Sequence, residues 1–302
     1  MKKVTAWLEA MRLRTLPLAM ASSITGAALA WKYSSNFTVV FLLVILTTIL
    51  LQILSNLAND YGDFKKGTDN EDRIGPERAM QKKDISAFEM KRALIVVTVL
   101  TLISGISLLS VSFENILTNM WFWIMLAIGL GAIWAALSYT MGEKAYGYSG
   151  FGDIFVFLFF GLVGVLGSFF LFVQYFFVIN LLPAAAIGLF ATAVLNLNNM
   201  RDHKNDAACG KKTLVVKMGI ENAKTYHAGL LLAGWACATG YFVHDFHNVV
   251  QLIIFIPAVL FVKNLKQVFD FEDEADLDPE LKKIALGTFA FSILFFISQV
   301  LV

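Results

Sequence analysis

Long apolar runs separated by short polar connections constrain this chain more than any other feature. A bilayer span needs roughly 20 apolar residues, with latitude for tilt. On that rule nine helices are expected, at about 15–33, 37–58, 92–112, 120–140, 151–173, 177–199, 221–243, 247–264 and 283–302. Hydrophobic residues make up 58% of the 302 and charged residues only 16%, where a soluble domain carries about 25% charge. The expectation is an all-α membrane protein, multi-pass in the cell membrane and surrounded by lipid bilayer.

The basic residues set the expected orientation. All of the 24 Lys and Arg except Lys32 fall on one set of helix ends. That side is taken as cytoplasmic, which puts the N-terminus inside and, with nine spans, the C-terminus outside. The opening MKKVTAWLEAMRLR reads as an amphipathic lead-in with no small-residue cleavage site after it. A net charge of +1 gives no reason to expect a nucleic-acid partner. Cys209 and Cys237 lie in different segments and suggest no disulfide framework. The segment FDFEDEADLDPE, within 265–282, is expected to be a solvated acidic loop. His227, His244 and His247 read as interfacial or loop residues.

Two polar clusters break this pattern. NDYGDFKKGTD closes the second apolar run and NNMRDHKND closes the sixth. With Asp63 set over Asp202, Asn59 falls over Asn198 and Asp60 over Asn199; Gly67 meets Asp206, and the first cluster recovers its acid at Asp69. This reads as a degenerate repeat, with motifs at 56–80 and 196–213 within one polytopic unit over 1–302. On a helix, Asn59 and Asp63 are one turn apart, as are Asn198 and Asp202, and Asp202 and Asp206. Carboxylates gathered this way repel one another and lose hydration unless a cation joins them. Hard Mg2+ takes oxygen ligands, typically one or two carboxylates with phosphate oxygens. Two such sets facing across a cavity would hold Mg2+ on a diphosphate, with neighbouring Lys and Arg touching it directly. The plain alternative, helix caps and surface charge, asks for one or two polar residues per end rather than these clusters. His203 lies among hard oxygen donors and reads as a polar flank.

NDxxDxxxGxD and NxxDxxxD at these positions resemble the paired aspartate-rich motifs of the UbiA family of intramembrane prenyltransferases. The stretches DRIGPERAM (Asp72–Met80), NNMRDHKNDAACGKKTLVVKMG (Asn198–Gly219) and YGYSGFGDIFVFLFFG (Tyr146–Gly161) are similar to its menaquinone branch, which prenylates 1,4-dihydroxy-2-naphthoate. Ala145 stands where Pro often precedes the YGY, which touches loop stiffness alone. The resemblance implies a ring of nine helices around a central cavity open to the cytoplasm and to lipid. It implies transfer from a polyprenyl diphosphate to dihydroxynaphthoate, with loss of diphosphate and CO2, giving demethylmenaquinol.

Ionisation of the allylic C–O bond would place charge on the departing diphosphate, where cations lower the barrier. Asn59, Asp60, Asp63, Asn199, Asp202 and Asp206, with Asp69, are the expected Mg2+–diphosphate set; Asp60, Asp63, Asp202 and Asp206 are taken as catalytic. Lys65, Arg73, Arg78, Asn198, Arg201 and Lys211 are expected at the substrates, with Arg73 or Arg78 on the aromatic carboxylate. Tyr139, Tyr146 and Tyr148 are expected walls for the allylic cation, although Tyr139 and Tyr148 also suit an interfacial aromatic belt. Asp153 is either a general base or a helix cap. Rivals are the same chemistry on another acceptor, such as 4-hydroxybenzoate or homogentisate, and a cation transporter, whose acids should sit near the bilayer midplane.

Overall fold

The computed structural model describes residues 2–34, 37–71 and 73–302; Asp72, the first residue of DRIGPERAM, lies outside them. Among the described residues every regular element is helical and there is no strand. The chain opens with α1 (Lys2–Met11), whose Ala6 and Ala10 are buried while Val4 and Leu8 are exposed. A left-handed residue, Arg12 at φ 48°, then turns it into α2 (Leu16–Ala30). The next helices are α3 (Phe37–Lys66), α4 (Ala87–Ser112) and α5 (Met120–Ser138). α6 (Gly152–Val156), a π-helical stretch Phe157–Gly167 and α7 (Ser168–Val173) run on as one rod. α8 (Leu181–Ala208), the short α9 (Leu214–Met218), α10 (Ile220–His244), α11 (Ala258–Asp270) and α12 (Leu277–Val300) complete the chain.

Each stretch expected to be helical is helical, but among the described residues seven helices, not nine, are long and apolar enough to cross a bilayer. α2 has only 15 residues. At 1.5 Å per residue that is about 22 Å, short of a ~30 Å hydrocarbon core. Nearly all of α2 is buried against neighbouring helices, so protein rather than lipid surrounds it. α10 is long enough at 25 residues, but His227, Gly229, Gly234 and Gly240 dilute its apolar run.

Small residues bring the helices together, as is usual where lipid gives no hydrophobic drive to associate. A Cβ on Gly62 of α3 would lie 2.6–2.7 Å from Thr140, and one on Gly161 would lie 2.7 Å from the Ala184 carbonyl of α8. α4 begins with a full capping box, Ser86 and Glu89 exchanging backbone bonds.

Two expectations are corrected. His227 is fully buried in α10; its Nε2 lies 2.8 Å from Asn264 Oδ1, and Asn264 Nδ2 donates to Glu280 Oε2 at 2.8 Å. The acidic segment is likewise only partly solvated. Glu280 is buried, and Asp278 accepts from Arg201 Nη1 at 2.5 Å. A buried arginine must find carboxylate partners, and α12 starts beside the end of α8.

Candidate functional site

The polar ends of α3 and α8 meet. Asn205 Nδ2 donates to the Thr68 carbonyl at 2.9 Å, and Arg73 Nη2 lies 3.5 Å from Asp202 Oδ2. The connection after α3 folds back over this junction. Gly67, at φ 73°, makes the turn out of the helix, and Arg73 and Arg78 enter from above.

Carboxylates and bases alternate through the junction. Arg78 spans Asp60 and Asp69 at 3.6 and 3.7 Å, and Arg73 spans Asp69 and Asp202, each at 3.5 Å. Arg12 pairs with Asp60. Arg201 donates to Asp202 through two nitrogens at 2.9 and 2.7 Å and is closed off from solvent, being 1% exposed. Lys211 Nζ lies 3.3 Å from Asp206. Burial opposes the Lys211 charge, but Asp63 and Asp206 outweigh it and hold the ammonium above its ordinary range. Burial pushes the Asp69 carboxyl up to about 6, against Arg78 pulling it down. Burial lowers Arg78 to about 9, reinforced by Arg12.

Below the junction lies a cavity of ≈ 440 Å3. Its α3 wall runs from Asp63 through Asn59, Asn56 and Gln52 to Val44, about 28 Å of one helix face. The mouth is polar and the depth is apolar, with Phe155, Phe159 and Phe160 on one side and Leu102 and Met125 on the other.

Of the residues expected at the site, Asn59, Asp63, Arg73, Arg78, Tyr139, Tyr146, Asn198, Asp202, Asp206 and Lys211 line this cavity. Asp60, Asp69, Asn199 and Arg201 stand behind them, buried. Lys65 does not join: it is exposed, with its ammonium 5.1 Å from the centre of the Tyr61 ring. One residue per turn can face the cavity, and Asp63 takes that position. Asp153 is buried and hydrogen-bonded by Tyr226, away from the cavity wall; Phe151, not Asp153, is the cap position of α6. Tyr146 stacks on Phe155 with ring centres 4.0 Å apart and meets Tyr139 edge-on at 5.3 Å. Tyr148 holds Asp63 rather than forming a wall, its hydroxyl donating to Asp63 Oδ1 at 2.8 Å. His203 bonds its own helix, Nδ1 to the Met200 carbonyl at 2.8 Å.

The sequence reading missed Arg12, Gln52, Thr68 and Asp278. Gln52 was within reach, because the turn-by-turn spacing that links Asn59 to Asp63 extends back through Asn56 to it. Arg12 counted only as a charge marking membrane side, and nothing local ties it to Asp60.

The oxygen set fits a hard divalent cation. Asn59 Oδ1, Asn199 Oδ1, Asp206 Oδ2 and both Asp69 oxygens are buried with no hydrogen-bond donor, and buried oxygens are ordinarily satisfied. Among the described residues no three His, Cys, Asp or Glu side chains converge on one point. The arginines and Lys211 stand between the acids, so this geometry leaves part of any coordination shell to a ligand.

The model of the UbiA prenyltransferase family matches residues 19–294. This chain belongs to the UbiA prenyltransferase family. It is 44% identical over 301 residues to the 1,4-dihydroxy-2-naphthoate octaprenyltransferase of Escherichia coli strain K12, covering 98% of this chain and 97% of the relative. It is 41% identical over 296 residues to the Haemophilus influenzae enzyme of the same name, covering 97% and 95%. Among solved structures, a UbiA homologue from Archaeoglobus fulgidus bound to DMAPP and Mg2+ superposes with a TM-score of 0.68 at 14% identity, over 98% of this chain and all of that one. At that identity the likeness establishes the UbiA fold.

Proposed function

We propose that this protein transfers a polyprenyl group from polyprenyl diphosphate to 1,4-dihydroxy-2-naphthoate, giving demethylmenaquinol for menaquinone biosynthesis. The observation that carries the reading is the meeting of two oxygen-rich helix ends over a cavity that turns apolar with depth. The near full-length likeness to two dihydroxynaphthoate octaprenyltransferases favours this acceptor over 4-hydroxybenzoate or homogentisate. A cation transporter fits poorly, since the acids stand at helix ends already joined to arginines.

Asn59, Asp63, Asp69, Asn199, Asp202 and Asp206 would hold Mg2+, which when bound supplies charge neutralisation to the diphosphate. Arg73 and Lys211 face the cavity and take the diphosphate oxygens; Arg78 or Arg73 takes the naphthoate carboxylate. Asp60 holds Arg12 and Arg78 in place, and Arg201 holds Asp202 and Asn198. The allylic C–O bond breaks with its electron pair leaving on diphosphate. Tyr139, Tyr146 and Phe155 offer ring faces to the allylic cation and exclude water. The aromatic ring supplies the electrons of the new C–C bond, and the carboxylate departs as CO2, returning its bonding pair to the ring.

The chain reads as one polytopic unit over 1–302, with nine helices around the cavity, the N-terminus cytoplasmic and the C-terminus outside. The basic residues at the polar mouth support that orientation. The test is membrane-reconstituted protein given dihydroxynaphthoate, a prenyl diphosphate and Mg2+, with CO2 and prenylated naphthoquinol measured. Faster turnover of 4-hydroxybenzoate than of dihydroxynaphthoate would reject the acceptor, and no prenyl transfer to any aromatic acid would reject the reaction.

A further inference from the structure

The acidic segment FDFEDEADLDPE has no part in the reaction as assigned above, yet its end reaches the motif on α8. Asp278, in the first turn of α12, accepts from Arg201 Nη1 at 2.5 Å. The same guanidinium donates to Asp202 through Nε and Nη2, and through Nη2 also to Asn198 Oδ1 at 2.9 Å. All three of its nitrogens are thus engaged by protein. Arg201 does not line the cavity, whereas Asp202 does. Arg201 therefore acts on a ligand through Asp202, and Asp278 acts on Asp202 through Arg201.

The start of α12 is held in place independently of Arg201. Glu280, two residues on, is buried and accepts from Asn264 Nδ2 of α11 at 2.8 Å and from Lys283 Nζ at 2.5 Å. Asn264 Oδ1 in turn lies 2.8 Å from His227 Nε2 of α10. Arg14, just before α2, approaches the second Asp278 oxygen at 3.7 Å. Gly75 closes the Arg201 site from the other side: a Cβ there would lie 2.8 Å from Arg201 Nη2. The guanidinium is therefore confined between Asp202, Asp278 and the Gly75 backbone.

We propose that Asp278 is a positioning residue for metal binding: it takes up part of the Arg201 charge, so that Asp202 keeps the orientation Arg201 imposes and the negative charge Mg2+ needs. The proposal rests on the assignment of Asp202 to the metal set above. A carboxylate in a two-nitrogen pair with one buried guanidinium is well oriented but largely neutralised, and a neutralised carboxylate is a poor ligand for a hard cation. Two carboxylates on one guanidinium leave the group one net negative charge. Asp278 stands on the far side of Arg201 from the cavity and its side chain is 35% exposed, so its charge stays hydrated while that of Arg201 is buried. Without it the whole Arg201 charge bears on Asp202, and a nearby positive charge weakens cation binding there.

The experiment titrates Mn2+ into the full-length protein in phosphatidylcholine nanodiscs and counts the unbound ion by electron paramagnetic resonance. Asp278→Asn keeps an acceptor for Arg201 Nη1 and removes the charge; its Kd for Mn2+ should rise by about tenfold, which is about 1.4 kcal/mol. Asp278→Glu keeps the charge and should return toward the native Kd. Glu274→Gln removes an equal charge from the same segment, where Glu274 pairs with Lys204 at 2.6 Å, and should leave the Kd native. In an Arg201→Gln background Asp278→Asn should move the Kd no further, because the effect passes through the guanidinium. A Kd unmoved by Asp278→Asn, or moved equally with and without Arg201, overturns the proposal. If Arg201→Gln does not fold, equal affinities of Asp278→Asn and Asp278→Glu overturn it instead. A melting temperature that falls in metal-free buffer while the Kd stays native assigns Asp278 to the start of α12 alone, and also overturns it. Native protein that binds no Mn2+ rejects the metal role of Asp202 and this proposal together. The expected shifts in Kd without prenyl transfer to any aromatic acid would fail the reaction assigned above and leave the charge sharing standing.

Discussion

The side-chain amide of Asn205 donates to the backbone carbonyl of Thr68 at 2.9 Å, across 137 residues of sequence. This bond ties the end of α8 to the first turn of the connection that leaves α3. It fixes the distance between Asp63 and Asp206 on the two helices. Asn205→Leu removes the donor and leaves a buried carbonyl without a partner, a cost of about 1–3 kcal/mol. The expected outcome is a lower melting temperature and a higher KM for prenyl diphosphate, with the KM for dihydroxynaphthoate moving less. Equal changes in both KM values would show that the bond serves the fold alone.

Asp63 and Asp202 both line the cavity, one from each motif. Asp63→Ala removes an oxygen donor and the acceptor of the Tyr148 hydroxyl; Asp202→Ala strips Arg201 and Arg73 of a shared carboxylate. Each should lower turnover by about two to three orders of magnitude, the scale seen when a group facing developing charge is lost. Both variants should still insert in the membrane. Near-native product formation from reconstituted protein would remove these residues from the metal set.

Tyr148 offers a finer probe. Its hydroxyl donates to Asp63 Oδ1 at 2.8 Å and lies 2.5 Å from Thr68 Oγ1, while Lys66 Nζ sits 4.0 Å from the ring centre. Tyr148→Phe keeps the ring and the cation contact but frees Asp63 to swing. A hydrogen bond to a charged group contributes about 1.5–3 kcal/mol, so kcat should fall by about tenfold or more. Titration of activity against Mg2+ should show a raised requirement for the metal. An unchanged Mg2+ dependence would mean that Asp63 is held by something else.

The sequence made the acids legible because four carboxylate or amide residues within the eleven of Asn59–Asp69 exceed what caps require. It also placed them at one end, through the bias of the basic residues. It could not show how each charge is neutralised. Arg201 meets Asp278 and Arg12 meets Asp60 across 77 and 48 residues, and such pairings arise only when α12 and α1 pack beside the motif helices. Helix number was legible only in part for the same reason: α2 is apolar along its length, but most of that apolarity is buried among helices, so length and hydropathy alone do not separate a span from a packed helix. The cavity side of Asp63 and Lys65 was equally hidden: they stand two residues, about 200°, apart round α3, and which of the two faces the cavity depends on how the helix is rotated in the bundle.

Asp69 gives a prediction with a defined sign. In the folded, metal-free protein burial raises its carboxyl to about 6, from an ordinary value of 3.8. Between those pH values the folded state keeps a proton that the unfolded chain releases, so stability falls as pH rises. The full penalty is reached above about pH 6 and is absent below about pH 4; the shift corresponds to at most about 3 kcal/mol. Asp69→Asn removes this component. Without divalent cation, the melting temperature of the native protein should fall relative to Asp69→Asn between pH 4 and 6.5. A constant difference across that range would place Asp69 in a wetter environment than its buried oxygens indicate.

Gly62 stands between Tyr61 and Asp63 where α3 crosses the end of α5. A Cβ there would lie 2.6 Å from Thr140 Oγ1 and 2.7 Å from the Thr140 carbonyl carbon, so backbone as well as side chain must move. Thr140 is itself fixed, its hydroxyl donating to the Ala58 carbonyl at 2.9 Å. Gly62→Ala should therefore cost about 1–3 kcal/mol of stability by overpacking, although alanine is the better helix former. It should also push Asp63 off the cavity axis and lower kcat. Thr140→Ala removes only the Oγ1 contact, and Thr140→Gly removes the 2.7 Å Cβ contact as well but not the backbone one, so neither should restore the native melting temperature to Gly62→Ala. Full recovery of the double variant would show that the Thr140 side chain alone sets the spacing of α3 and α5.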